Sequence, residues 1–369
     1  KLNEVEVFPG ENPAHRIIDS VLKNRDINNP EKIEKFSYVS YDKMNIFIET
    51  DSLPQDDSMI IDTTEIKFRK FVEKQDIFLL ETVTERKYMA PDLNQETVLA
   101  TRVSGFKDPI IAFMISQIQS TSFYDPQINI FGQKYANPIS RGSKNKYFFL
   151  IEDTTYSDRG DTVFMISFRP MKDTKFEGMK GFLYVNSHKW AIQNVKASPP
   201  DDSTGIVIQI QQAYKLIDNQ WFPHQLDTHV KFMNMMVSSG ENSYPMAGKG
   251  RSYIQDIDLN PDIKKKDFGF YQVEIEEGAS KQKGEFWRKY RVDSLSDRER
   301  ETYRIIDSIG NEAGFDQKAT YIQTMLVGKF PLWIFDIDLD KLFHYNNYEG
   351  FYVGFGLHTN DRFSTRVKL

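Results

Sequence analysis

From Ile33 onward the hydrophobic period along the chain is two. Phe36, Tyr38, Met44, Ile46 and Ile48 fall on one side of the segment Phe36–Glu49, which predicts a long strand. Ile77–Tyr88 repeats the pattern and ends at the polar turn Ala90-Pro91-Asp92. The clearest block is 146–236. Strands are predicted over Tyr147–Asp153, Thr162–Arg169, Gly181–Asn186, Trp190–Ala197, Ile206–Ile217 and Trp221–Met236. Short polar turns at Ser157–Gly160, Ser187–Lys189 and Asp218–Gln220 separate them, as an antiparallel meander requires. Ile206, Ile208, Ile210, Tyr214 and Leu216 share one face, opposite Gln209, Gln211 and Lys215, so one face of that strand is dry and the other wet.

Elsewhere the period is helical. Asn12-Pro13 reads as an N-cap followed by proline, with Ile17, Ile18, Val21 and Leu22 on one face, so a helix is expected over 13–24. Thr63–Glu73 favours a helix. Asp108-Pro109 opens a further helix near 109–119 that is apolar nearly all round and must be buried on most faces. It reads equally as a core helix or as a plug for a cavity. Ser296-Asp-Arg-Glu299 is a capping box for a helix over 297–309, with Gly310 as its stop. Residues 238–284 are hydrophilic and read largely as loop and linker, apart from a strand over Gly250–Ile257.

The last segment, Tyr345–Thr359, alternates again. Phe351, Val353, Phe355 and Leu357 point one way and Tyr352, Gly354, Gly356 and His358 the other, as in a transmembrane β-barrel strand with membrane-facing apolar residues. Trp333, Tyr345 and Tyr348 just before it suit a membrane-interface girdle, or the rim of a soluble β domain. One strand cannot span a bilayer alone, because its backbone polar groups would go unpaired in lipid. The segment therefore pairs with further chain or another protein, or folds back onto the body.

The fold expected is mainly β (β-rich α+β): a curved antiparallel sheet or half-barrel with two or three helices, ending in the first strand of a transmembrane β-barrel. The organisation expected is an N-terminal strand and helix (1–30), the curved β domain (31–260), a linker with a helix (261–330), and the start of the barrel (331–369).

Composition supports a folded, β-rich chain. Of 369 residues, 40% are hydrophobic, 27% charged and 14% aromatic, with 28 Phe and 18 Tyr. A net charge of −6 with both signs interspersed argues against a nucleic-acid partner. The chain has no cysteine, which excludes disulfides, thiolate metal sites and a thiol nucleophile from it. No run of about 18 apolar residues is present, so no transmembrane helix is expected. No signal-peptide pattern heads the chain, which fits a mature or trimmed N-terminus and equally a cytosolic protein.

Candidate chemistry is sparse. The six histidines form no recognised metal pair; His224 and His229, five apart on a strand, are expected on opposite faces. Asp336-Ile-Asp-Leu-Asp340 lacks the glycine and distal glutamate of a calcium loop. No nucleophile elbow, P-loop or dinucleotide fingerprint occurs, so no catalytic residue, metal or cofactor is expected. Trp190 and Trp221, beside turns in the meander, read as lining for a lipid-sized cavity and equally as core anchors.

Several motifs resemble an outer-membrane family of Bacteroidetes with a domain of unknown function. They are Asn12-Pro-Ala-His-Arg-Ile-Ile18, Asn29-Pro-Glu-Lys-Ile33, Asp125-Pro-Gln-Ile-Asn-Ile-Phe-Gly132, Asn137-Pro-Ile-Ser140, the stretch from Phe176 through Gly181 to Trp190-Ala-Ile192, and Tyr345-Asn-Asn-Tyr-Glu-Gly350. In that family the domain follows a carboxypeptidase-regulatory-like domain and precedes a C-terminal β-barrel; this sequence is expected to hold only a strand of the former, at Val5–Phe8, and the first strand of the latter. The meander with Tyr214-Lys-Leu-Ile-Asp-Asn-Gln-Trp-Phe-Pro223 is similar to lipoprotein-carrier (LolA/LolB-like) sheets, which curve around an apolar concavity with helices lying across it; that similarity implies that Ile110, Phe113, Met114 and Ile118 of the helix near 109–119 line or plug the cavity.

The resemblance implies a non-enzymatic periplasmic module at the cell outer membrane. It would bind lipid, lipoprotein or another outer-membrane protein in envelope biogenesis or transport. The rival readings are an envelope glycan or lipid hydrolase with a carboxylate pair, and a structural subunit of an outer-membrane complex.

Overall fold

The computed structural model describes residues 12–49, 63–105, 122–130, 133–172, 176–200, 206–239, 242–269, 272–313 and 315, and the backbone of short strands between 329 and 359. The helix expected near 109–119 lies outside the described residues, as do Ile110, Phe113, Met114 and Ile118. Cα packing divides the chain into two compact units, 1–104 with 109–306, and 105–108 with 307–369.

The first unit is built on one eleven-stranded sheet. Its strands are β1 (Lys35–Ile48), β2 (Phe78–Met89), β3 (Leu93–Val103), β6 (Tyr147–Tyr156), β7 (Thr162–Pro170), β8 (Lys180–Asn186), β9 (Ala191–Ser198), β10 (Ile206–Ile217), β11 (Gln220–Ser239), β12 (Asn242–Asp258) and β13 (Val273–Ile275). The order across the sheet is β13-β3-β2-β1-β12-β11-β10-β9-β8-β7-β6. All neighbours are antiparallel except the short edge strand β13, which runs parallel to β3. A hairpin of β4 (Gln127–Ile130) and β5 (Gln133–Ala136) stands outside this sheet. The strands β6 to β11 follow one another through the turns that the sequence marks, so the meander is present as expected.

The sequence reading of 238–284 as mostly loop is corrected. Strand β12 starts at Asn242, opposite Ser239 of β11, and runs for 17 residues. Its first half, Asn242–Lys249, holds Asn242, Ser243, Pro245 and Gly248, all poor strand formers, and its place in the sheet comes from pairing with β11 throughout and with β1 from Met246 on rather than from propensity.

Five α-helices occur among the described residues: α1 (Pro13–Lys23), α2 (Arg25–Asn28), α3 (Thr63–Lys74), α4 (Gly284–Tyr290) and α5 (Asp297–Ala313). The cap read at Asn12 is present, its side-chain oxygen accepting from the Ala14 N–H at 2.9 Å. The same side chain donates to the Phe149 carbonyl of β6 at 2.8 Å, so the cap also ties the helix to the sheet. The capping box at α5 is reciprocal: Ser296 N–H donates to Glu299 at 2.8 Å and Glu299 N–H to Ser296 Oγ at 3.2 Å. Gly310 does not stop that helix, which continues to Ala313. A Cβ at Gly310 would lie 2.3 Å from the Gly105 carbonyl oxygen, so the glycine is there for close backbone approach within the second unit.

The two faces of the sheet are distinct. Paired residues on adjacent strands share a face, so the register defines rows that cross the sheet. One row runs Phe149, Phe168, Gly181, Ala197, Ile210, Thr228, Gly250, Met44, Leu80, Val103. We call this the inner face. Over β6–β10 it is covered by Ile17, Ile18 and Val21 of α1 and by Phe123, Tyr124, Ile128 and Ile139, which form the main core. The outer face over β1–β3 is covered by Trp287 and Tyr290 of α4, which pack on Tyr41, Val83 and Ala100.

Polar anchors fix the outer face. Glu81, with no exposed side-chain surface, accepts from Arg291 Nε at 2.6 Å, Arg291 Nη2 at 2.7 Å, Tyr41 OH at 2.7 Å and Tyr303 OH at 2.9 Å. A second knot joins Asp76 to Asn45 and Arg298, both at 2.6 Å, while Lys43 meets Glu299 at 2.8 Å.

In the second unit the described strands are β14 (Lys329–Leu332), β15 (Phe335–Asp338), β16 (His344–Asn346), β17 (Gly350–Tyr352) and β18 (Gly356–Thr359). The expected single strand over Tyr345–Thr359 is instead divided. Asn346 pairs with Gly350, making β16 and β17 a hairpin, and β18 pairs with β15 in a three-stranded sheet with β14. The side chains of Trp333, Tyr345, Tyr348, Phe351, Val353, Phe355 and Leu357 lie outside the described residues.

Candidate functional site

A second inner-face row shows where the sheet changes character. It runs Ile151, Ile166, Leu183, Val195, Gln212, Leu226, Ser252, Asp42, Thr82, Thr101. The row is aliphatic over β6–β9 and polar over most of β10–β3. At the polar half a cavity of about 110 Å³ opens, lined by residues that include Phe36, Tyr38, Ser40, Asp42, Arg86, Glu96, Phe222, Leu226 and Ser252.

The aromatic wall comes from the start of β1 and the β10–β11 turn. Phe36 stacks on Tyr88 with ring centres 4.9 Å apart and meets Phe222 edge-on at 5.1 Å; Tyr38 lies 6.0 Å from both Phe36 and Phe222. Two residues on, the same face of β1 turns polar. Asp42 accepts from Ser40 Oγ at 2.8 Å and Thr82 Oγ1 at 3.4 Å, and from Ser252 across the β1–β12 pair. Burial pushes its carboxyl above the usual range, and the three hydroxyls pull it back only in part.

Arg86 occupies the other side of the cavity. It donates to Asn94 Oδ1 at 2.8 Å and Tyr38 OH at 3.3 Å and stands 3.8 Å from Glu96, its partner across the β2–β3 hairpin. Burial opposes its charge, but Tyr38 and the acids Glu96 and Glu31 outweigh that and hold it protonated. The Tyr38 hydroxyl is pushed up by burial, against the pull of Arg86.

Asp125 feels the Glu31 carboxylate of the cavity lining. Burial first, and then Glu31, push its carboxyl from an ordinary 3.8 up to about 6. The fold therefore holds this proton more tightly than the unfolded chain does. Its contribution is fully present below 3.8 and is lost as the pH rises through about 6. Asp125→Asn is expected to remove that loss, so the variant gains on the parent protein as the pH rises across this window. Thermal unfolding over a pH series reads it.

The tryptophans fall elsewhere. Trp221 is buried in the main core, with its indole N–H donating to the His188 carbonyl at 3.2 Å, and Trp190 stacks on Phe164 at 6.0 Å. Neither lines the 110 Å³ cavity. Among the described residues no cluster of three His, Cys, Asp or Glu has metal-binding geometry, and no helix is long and apolar enough to cross a membrane.

The residues that sequence reasoning passed over are Ser40, Asp42, Arg86 and Glu96. Ser40 and Asp42 interrupt an otherwise apolar period-two face, Phe36, Tyr38, Met44, Ile46, Ile48, and that interruption is the signal. Arg86 and Glu96 are readable as a pair only once Met89 is set opposite Leu93 around the Ala90–Asp92 turn.

Together these features define a β-rich α+β protein: a large curved sheet with helices packed on part of each face, and an inner-face cavity that is aromatic at one end and acidic at the other. The chain belongs to a family of unknown function, DUF5686, whose model matches residues 17–245. This agrees with the motif resemblance at the level of a family with a domain of unknown function. No curated protein matches the chain.

Similar solved structures include a DUF1329 family protein from Desulfovibrio piger, at 9% identity, covering 70% of this chain and 98% of that one, with a TM-score of 0.28. A putative outer membrane lipoprotein-sorting protein domain from Vibrio parahaemolyticus is 12% identical, covering 69% and 97%, with a TM-score of 0.27. Lipovitellin, in a structure of its lipid–protein interactions, is 9% identical, covering 63% of this chain and 26% of that one, with a TM-score of 0.25. Likeness at this level is too loose to assign a ligand.

Proposed function

We propose that the protein is a non-enzymatic binding module of the cell envelope whose inner sheet face receives a lipid or a lipid-bearing ligand. The observation that carries this reading is the change of character along one strand. On the inner face of β1, Phe36 and Tyr38 give way to Ser40 and Asp42, and then to Met44, Ile46 and Ile48. A polar notch set in an apolar strip matches an amphiphile. The cavity of about 110 Å³ is smaller than the roughly 300–1,000 Å³ of drug-sized sites. It is therefore the seat of a polar end, with apolar chain lying against the flanking Met44 and Ile46; Ile48 beyond them is already covered by Phe68 and Val72 of α3.

The proposed setting is the periplasmic side of the outer membrane. The alternation at Phe351, Val353, Phe355 and Leu357 supports a membrane-facing role for those residues, with Trp333, Tyr345 and Tyr348 at the interface. Cell fractionation tests this setting; recovery of the native full-length protein only from the soluble fraction would contradict it. Ligand binding is tested by titrating the purified protein with decyl maltoside, an uncharged single-chain amphiphile, below its micelle concentration. Saturable binding with one site per chain is expected, and absence of saturable heat or mass shift would contradict the reading.

A further inference from the structure

We propose that the polar end recognised in this cavity is an ammonium group, with Asp42 as its counter-ion. The inference rests on the amphiphile reading above and adds the charge of the ligand. The first support is that Asp42 has hydroxyl partners only. Ser40, Thr82 and Ser252 satisfy it as hydrogen-bond donors, and no Lys, Arg or His among the described residues forms a salt bridge with it. A half-buried carboxylate without a cation is costly to keep for structure alone, since a fourth hydroxyl or an amide would fill the same place in the row.

The second support is the balance of charge around the cavity. Among the described residues its lining carries Glu31, Asp42 and Glu96 against the single cation Arg86. Arg86 is already engaged by Glu96 and by the Asn94 side chain. The excess is negative, and it is carried by Asp42 and Glu31.

The third support is the aromatic wall. Phe36, Tyr38 and Phe222 sit at stacking and edge distances from one another, and ring faces attract cations. Phe36 already takes one: the Arg86 guanidinium lies 5.7 Å from its ring centre. An ammonium has three donors and no acceptor. It would give one hydrogen bond to Asp42 and present the rest of its charge to the rings. A carboxylate or phosphate head would meet Asp42 and Glu96 as like charges.

The test uses three amphiphiles with the same ten-carbon chain, decylammonium, decanoate and decyl maltoside, titrated calorimetrically into the intact protein at neutral pH. Decylammonium is expected to bind more tightly than decanoate by on the order of ten-fold or more. In Asp42→Asn that ratio is expected to fall to near one. If none of the three binds, the amphiphile reading itself fails. If decyl maltoside binds but decanoate equals or exceeds decylammonium, the cavity reading stands and the ammonium assignment is overturned. That comparison needs no variant, so it decides the matter even where Asp42→Asn fails to fold. An undiminished decylammonium preference in folded Asp42→Asn would overturn the role of Asp42.

Discussion

Replacing Arg291 with methionine is expected to destabilise the fold by about 3–5 kcal/mol, the usual consequence of breaking one side of a buried ion pair. Glu81 is fully buried and receives both arms of the Arg291 fork, at 2.6 and 2.7 Å. Methionine keeps much of the side-chain volume but leaves the carboxylate with only the Tyr41 and Tyr303 hydroxyls. The loss is expected to be non-additive with Glu81→Gln. The double variant Glu81→Gln with Arg291→Met should recover part of the stability, because the amide no longer needs a cation. Chemical denaturation of the four proteins gives the cycle. Additive losses would show that the pair contributes little beyond its separate parts. The network also fixes the purpose of the outer face: Tyr41 and Glu81 on the sheet, Arg291 just beyond α4 and Tyr303 on α5 are joined through a single carboxylate. Over β1–β3 the outer face is closed in this way and structural, and over β6–β10 the inner face is filled by the main core, so the open part of the inner face is the polar half around Asp42.

Filling the inner cavity is expected to abolish ligand binding without comparable loss of fold. Leu226 lines the cavity and is only half-buried, opposite Gln212 on one side and Ser252 on the other. In Leu226→Trp the indole has open space to enter, so the strain should stay within the 1–3 kcal/mol typical of overpacking. Decyl maltoside affinity should fall by roughly ten-fold or more, which corresponds to about 1.4 kcal/mol or more of binding free energy. Circular dichroism and the denaturation midpoint separate this outcome from unfolding. Unchanged affinity in a folded Leu226→Trp protein would place the ligand elsewhere.

Much of the sheet is legible in the sequence because its strands keep strict alternation. In β10, Ile208, Ile210 and Tyr214 are buried as their spacing implies, and the turns at 157–160 and 218–220 hold the register of the neighbouring strands. Strand β3 escapes that reading for a local reason. The register shifts between Val83 and Thr84, which pair with Ala100 and Val98, so Leu99 is an extra residue and the alternation breaks there. Strand β12 escapes it because its first half has the composition of a loop and is held by β11 throughout and by β1 from Met246 on. Gly310 carries the ordinary signal of a helix end, yet here a neighbouring backbone, Gly105, requires the missing side chain.

The site divides along the same line. The aromatic end of β1 stands out in the sequence, and Asp42 is visible as an interruption once the strand is aligned. The Glu81–Arg291 pair is not legible, because its members are 210 residues apart and nothing local to either specifies the other. The tryptophans read two ways in the sequence, as cavity lining or as core anchors, and the packing that separates the two is not local: Trp221 sits in the main core beneath the turn at His188.

The central claim, that the inner face around Asp42 receives an amphiphile, is tested most directly by photo-crosslinking. A ten-carbon amphiphile with a photoreactive group near its head would be bound to the protein, irradiated, and the labelled peptides mapped by mass spectrometry. The structure predicts labels on inner-face residues of β1, β11 and β12 around Tyr38, Leu226 and Ser252, competed away by decyl maltoside and absent in Leu226→Trp. Labels confined to the outer face or to residues 329–369, or labels that decyl maltoside does not compete, would contradict it.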